Sequence, residues 1–255
     1  MPRPERVFRT EAIILRRYEF AEADRLLTLY TQTTGKIRAI AKGVRKIKSR
    51  QLGHVELFTR AVMMISLGRE LHVVSQCELI EPFLPLREDL QRGAYANYIG
   101  ELVENFTEFD EQHEAIYDLL NNALGWLSDP DVNLMLVARY FELHLLRLVG
   151  FLPSLFHCAV GQEELEPRDQ YFGVLEGGVV CPHHANKIGT ALPLSLTALK
   201  TLRYMQTQPF ESVRKLKIDA PLHATLERVM QTYIAHTLEK RLKSVEFIRR
   251  LRRIE

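Results

Sequence analysis

Hydrophobic and polar positions change their period once along this chain, near residue 80. Before that point they alternate in twos. Ile37, Ala39 and Ala41 alternate with Arg38, Ile40 and Lys42, the period of a half-buried strand. Similar patterning predicts strands over Phe8–Tyr18, with Ala12, Ile14 and Arg16 on one face, over Glu22–Tyr30 and over Lys36–Lys42. A longer, more apolar strand over His54–Leu67 turns at Gly68-Arg69 and pairs back along Glu70–Ile80, a hairpin signal. Five short strands rich in Val, Ile and Thr in so short a span predict a small barrel or sandwich over residues 1–80.

Pro82 and Pro85 mark the boundary, and the period then becomes helical. Leu90, Ala94, Tyr98, Leu102 and Phe106 fall at i+4 spacing and form one apolar stripe. Ala115–Leu127 predicts a second helix. Asp129-Pro130-Asp131 is a start signal for a third, whose apolar face holds Leu134, Val137, Phe141, Leu145 and Leu148, with Gly150 as its stop. Residues 151–190 lose the period and gain glycines, which predicts a short hairpin with Tyr171–Leu175 and Val179-Val180 as arms. Helices resume after Ser195, an N-cap, and a long last one opens at Asp219-Ala220-Pro221. The fold class predicted is α+β: an N-terminal barrel over 1–80, then a mainly helical domain over 81–255 with a knuckle-like insertion at 151–190.

Charge sharpens this division. The formal net charge of the 255 residues is only +2. Residues 1–80 carry +7, residues 81–150 carry −9 and residues 151–255 carry +4. The basic front concentrates in Gly35–Arg50, where no acid interrupts Lys36, Arg38, Lys42, Arg45, Lys46, Lys48 and Arg50. Such a run repels itself unless an anion lies across it. A strand feeding a cluster of cations suits phosphate contacts that read no bases. An OB-fold is the five-stranded barrel most often combined with a basic groove. Arg16 and Arg17 extend the set if they share its face. The competing use of the run is a solvated loop that keeps the protein soluble.

Catalytic signatures are lacking. Gly35-Lys36 has neither the preceding Gly nor the Ser/Thr of a P-loop, and no G-x-S-x-G occurs. No enzyme is therefore expected. Cys158 and Cys181-x-x-His184 flank a Gly-rich hairpin, as in zinc ribbons, and offer three ligands of a structural zinc site. The position expected for the fourth holds Gly161, and His157 and His183 are nearby candidates to reach in, neither at the usual spacing. The set is incomplete, and the alternative is a knuckle that packs its thiols as small hydrophobes. Three cysteines, no apolar h-region in MPRPERVFRT and no run of 18 apolar residues predict a cytoplasmic protein, with no membrane partner.

Several stretches together resemble the bacterial RecO recombination-repair family. They are Leu26-Leu27-Thr28-Leu29-Tyr30-Thr31, Thr34-Gly35-Lys36, Ala41-Lys42-Gly43-Val44-Arg45-Lys46 with Lys48-Ser49, and Arg139-Tyr140-Phe141-Glu142-Leu143 with Leu148-Val149-Gly150-Phe151. Cys158, Cys181-Pro182 and Leu242-Lys243-Ser244 follow in the same order. The resemblance covers nearly the whole chain. It implies an N-terminal OB-fold and a non-enzymatic, nucleoid-associated mediator. Such proteins bind single- and double-stranded DNA, anneal complementary strands and, with RecR, help load RecA. It implies the acidic C-terminal tail of the single-stranded DNA-binding protein as a further partner. Arg139, beside Phe141 and Leu143 in the acidic segment, is the candidate for holding that tail. Many members carry a four-ligand zinc site, and Gly161 stands where those members have cysteine. The alternatives are a zinc-dependent hydrolase acting on nucleic acid and an assembly scaffold without DNA affinity.

Overall fold

The computed structural model describes residues 7–46, 52–68 and 71–253. Lys48 and Arg50 lie outside the described residues, as do Arg69 and Glu70 of the expected hairpin turn. The chain divides into two compact units, one of residues 1–130 with 246–255 and one of residues 131–245.

In the first unit five strands close a barrel: β1 (Val7–Phe20), β2 (Asp24–Thr31), β3 (Gly35–Ala41), β4 (Arg60–Ser66) and β5 (His72–Glu81). They run in the order β1-β2-β3-β5-β4, with β4 returning to β1 and β3 parallel to β5. This is the OB-like barrel that the alternating pattern predicts. Residues facing one another across antiparallel strands share a face, so Leu27, Ala39 and their neighbours fill the interior with Ala12, Ile14, Met63 and Ile65. The alternation does not run unbroken through β1. A bulge between Ile14 and Arg16 sets Ile14 opposite Leu29 but Arg16 opposite Thr28. One extra residue reverses the faces that follow. Arg16 therefore leaves the face of Ala12 and Ile14 on which the simple alternation places it.

The outer side of the barrel is half covered. Helix α1 (Pro85–Glu88) leads into α2 (Leu90–Phe106), capped by the Asp89 carboxylate, which accepts from the Arg92 amide at 2.9 Å. Gly100 brings α2 against Phe58 and Leu15. Between α2 and α3 (Glu114–Ser128), a strap returns to the start of β3. Phe109 bridges to Lys36, and the Asp110 amide donates to the Lys36 carbonyl at 2.9 Å. Gly35 has φ +74°, and a Cβ there would stand 1.8 Å from the Glu111 carbonyl oxygen. Only glycine allows this close approach.

In the second unit α4 (Leu134–Leu148) packs with α6 (Leu196–Thr207), α7 (Phe210–Val213) and α8 (Ala220–Thr237). Asn133 caps α4, accepting from the Met135 and Leu136 amides, so the helix starts later than Asp129-Pro130-Asp131 suggests. Ser195 and Asp219 cap α6 and α8 as expected. The insertion holds β6 (Gln170–Gly173) and β7 (Gly178–Val180), then the short helix α5 (Pro182–Ala185). It adds β8 (Ala191–Leu194), which the sequence pattern misses because Pro193 interrupts it. As an edge strand β8 accommodates a proline. The last helix, α9 (Lys243–Leu251), ends within the first unit, where the Arg252 guanidinium donates to the Tyr95 hydroxyl and lies 6.0 Å from its ring centroid. No helix among the described residues is long and apolar enough to cross a membrane.

Candidate nucleic-acid interface

The uncovered half of the outer barrel face is built row by row from strand register. Tyr18, Leu26 and Ile40 form one row across β1, β2 and β3, and Arg16, Thr28 and Arg38 form the next. Phe20 continues the face at the end of β1. Tyr18 is 50% exposed and Phe20 43%, an open position for residues that barrels usually bury. Phe58, by contrast, is buried. At the far side Phe109 is also exposed, with the Arg38 guanidinium 4.9 Å from its ring centroid.

The turn after β3 is tied beside these aromatics. The Gly43 amide donates to the Asp24 carboxylate at 2.7 Å, and the Arg45 amide donates to the Ala23 carbonyl at 2.9 Å. Gly43 takes φ +63° to make the turn, and Val44 drops its side chain into the core. Lys42 and Lys46 are thereby held exposed next to the β1–β2 connection. In OB-folds the face of strands 2 and 3 and the connection between strands 1 and 2 are the usual oligonucleotide track.

The cations expected here divide into three groups. Arg38, Lys42 and Lys46 are exposed, and no carboxylate pairs with them among the described residues. Arg16, Arg17 and Arg45 are each matched by an acid distant in sequence or across a turn. Arg16 pairs with Glu104 of α2, and Arg45 lies 3.3 Å from Glu19. Arg17 shares Glu56 with Arg25. Arg16 and Arg17 point to opposite faces of β1, as adjacent strand residues must, so they do not extend the track together. Lys36 is the clearest correction. It is 4% exposed, and its ammonium donates to the Glu104 carbonyl at 2.6 Å and to the Thr107 carbonyl, over the Phe109 ring at 4.6 Å. These carbonyls belong to the C-terminal end of α2, where a cation complements the helix dipole. Lys36 pins the strap and presents nothing to a phosphate.

Arg139 is corrected likewise. It is 4% exposed and paired with Glu142, which is 0% exposed. A buried pair of this kind is not a surface anchor for an acidic tail.

The knuckle brings together all three of its expected ligands. Cys158 Sγ lies 3.4 Å and Cys181 Sγ 3.3 Å from His184 Nδ1. A residue that the spacing search passed over joins them: Glu163 Oε1 is 3.0 Å from Cys181 Sγ and 3.2 Å from His184 Nδ1. The hydrogen bond from the Cys181 thiol, with smaller contributions, brings the Glu163 carboxyl down to about 2. The third cysteine, Cys77, is a buried thiol pushed up to about 12 by desolvation, which suits a core residue.

Family models match nearly the whole chain. Residues 6–83 match the N-terminal model of Recombination protein O, and residues 87–246 match its C-terminal model. The chain belongs to the Recombination protein O family. It is similar to proteins named DNA repair protein RecO. The one from Roseiflexus sp. (strain RS-1) is 39% identical over 96% of this chain and 86% of that protein. That of Dehalococcoides mccartyi (strain ATCC BAA-2266 / KCTC 15142 / 195) is 36% identical over 96% of both chains. That of Symbiobacterium thermophilum is 35% identical over 96% of this chain and 98% of the relative. Membership places the chain among proteins of DNA recombination and repair. The family models part at residues 83–87, whereas the compact units part at residue 130, because α1–α3 belong with the barrel.

Proposed function

We propose that the chain is a cytoplasmic recombination-repair mediator that works without turnover. It binds single- and double-stranded DNA, anneals complementary strands and, with RecR, helps to load RecA. One observation carries the DNA-binding part. On the open half of the barrel face, Arg38, Lys42 and Lys46 stand exposed beside exposed Tyr18 and Phe20. Cations track phosphates without sequence preference, and aromatic rings accept any base as a stacking partner. A duplex keeps its bases stacked on one another, so the aromatic pair favours single strands. RecR and the acidic tail of the single-stranded DNA-binding protein are the partners that family membership brings to this reading.

Annealing needs a second strand to be held near the first. The end of α9 supplies further cations in the same unit, with Arg250 and Arg253 exposed. Within α9, Ile248 is 4% exposed. Removing everything after Leu242 would therefore disturb packing as well as charge.

The test of the track is the pair Tyr18→Ala and Phe20→Ala, made together and titrated against single-stranded and duplex oligonucleotides. Base–aromatic stacking is worth about 1–3 kcal/mol per base. Single-strand affinity is expected to fall at least fivefold, with duplex affinity within twofold of the parent. Equal affinity of parent and variant for single strands would remove the aromatics from the interface.

A further inference from the structure

The knuckle offers four donor atoms, not three, and the fourth comes from outside the Cys-x-x-Cys spacing of zinc ribbons. Cys158 Sγ, Cys181 Sγ, His184 Nδ1 and a Glu163 carboxylate oxygen all lie within 4.8 Å of one another. The four separations given above run from 3.0 to 3.4 Å. Zinc–ligand bonds of the usual lengths, arranged tetrahedrally, put donor atoms about 3.3–3.8 Å apart. The cluster is thus already close to the size that a tetrahedral ion requires.

The backbone is shaped for it as well. The segment from Cys158 to Glu163 closes on itself, the Cys158 amide donating to the Glu163 carbonyl at 2.8 Å and the Gln162 amide to the Cys158 carbonyl at 2.9 Å. Gln162 takes φ +63° within this turn. The amides of Gly161 and Cys181 both point at Cys158 Sγ, each at 3.5 Å. Such N–H···S contacts orient the sulfur toward the other three donors. Cys158 is fully buried while Glu163 and His184 are partly open, so an ion has a way in.

Gly161 explains why a glutamate can serve. A Cβ on Gly161 would stand 2.0 Å from Glu163 Oε2 and 2.4 Å from the His184 ring. The glutamate carboxylate occupies the room that a side chain at position 161 would fill. The longer reach of Glu163, two residues on, substitutes for the missing thiol. We propose that Glu163 is the fourth ligand of a mixed two-sulfur, one-nitrogen, one-oxygen site for a zinc-class divalent cation, with Cys158, Cys181 and His184 as the others. With all four positions filled by protein, the ion is structural and holds the knuckle between its two cysteine-bearing arms.

The experiment uses the full chain, stripped of metal and titrated with zinc and with cobalt(II). One ion per chain is expected. The cobalt form should show the intense visible bands of a tetrahedral site and sulfur-to-cobalt charge transfer from two thiolates. Glu163→Ala is expected to lower zinc affinity by at least about tenfold, the lower bound for disturbing even the outer partners of metal ligands. Far-UV circular dichroism of the metal-free protein reports that the variant still folds. Absence of stoichiometric metal from the parent chain would overturn the site. Wild-type affinity with an unchanged cobalt spectrum in Glu163→Ala would overturn the assignment of Glu163.

Discussion

Replacing Arg38, Lys42 and Lys46 together by alanine should weaken single-strand binding about 50-fold at about 0.15 M salt. The figure follows from three phosphate contacts, each contributing a slope of about −0.7 to the dependence of log affinity on log salt for single strands. The same arithmetic makes the loss several-hundred-fold at about 0.05 M salt, and the slope itself should flatten by about 2 units. Titrations at four or five salt concentrations measure both quantities at once. A changed affinity with an unchanged slope would mean that the three side chains act indirectly. All three are exposed and lack a carboxylate partner among the described residues, so the substitutions should leave the melting temperature almost unmoved.

Lys36→Met should do the opposite. The methionine keeps most of the buried stem but leaves the Glu104 and Thr107 carbonyls without the ammonium that they accept from. Losing charged hydrogen bonds at a buried site costs about 2–4 kcal/mol. Chemical denaturation should show that loss, while DNA affinity per folded molecule and its salt slope stay those of the parent. A flattened slope with intact stability would put Lys36 back among the phosphate contacts. The two variants together separate charge that serves a ligand from charge that serves the fold.

The sequence pattern goes far with the barrel because its signals are local. Ile37, Ala39 and Ala41 point inward as their alternation says, and each helix whose N-cap is a lone Ser or Asp begins where expected. What escapes it is long-range pairing. Glu104 meets Arg16 across 88 positions and Glu56 meets Arg17 across 39, and Glu19 of β1 reaches Arg45 inside the acid-free run, so an acid-free run in sequence is not an acid-free surface. Lys36 looks like its neighbours until the strap of residues 107–111 closes over it. The bulge beside Leu15 leaves no mark in composition, yet it turns Arg16 from one face to the other. Glu163 escapes for a different reason. A search by fixed ligand spacing cannot see that a side chain two residues farther along, with a longer reach, fills the place left by Gly161.

The covering of the barrel by α2 and its strap bears on how this protein can be cut and recombined. Ile13, Leu15 and Tyr30 are as well buried as the interior residues, although they sit on the outer face of their strands. A fragment ending at residue 83, where the family models divide, would bare these three side chains and strand the Lys36 ammonium without its acceptors. The barrel is therefore not a module that can be traded between relatives at that seam. The compact unit that holds the barrel extends through α3 and takes in the end of α9, with the residues of the second unit lying between them in sequence.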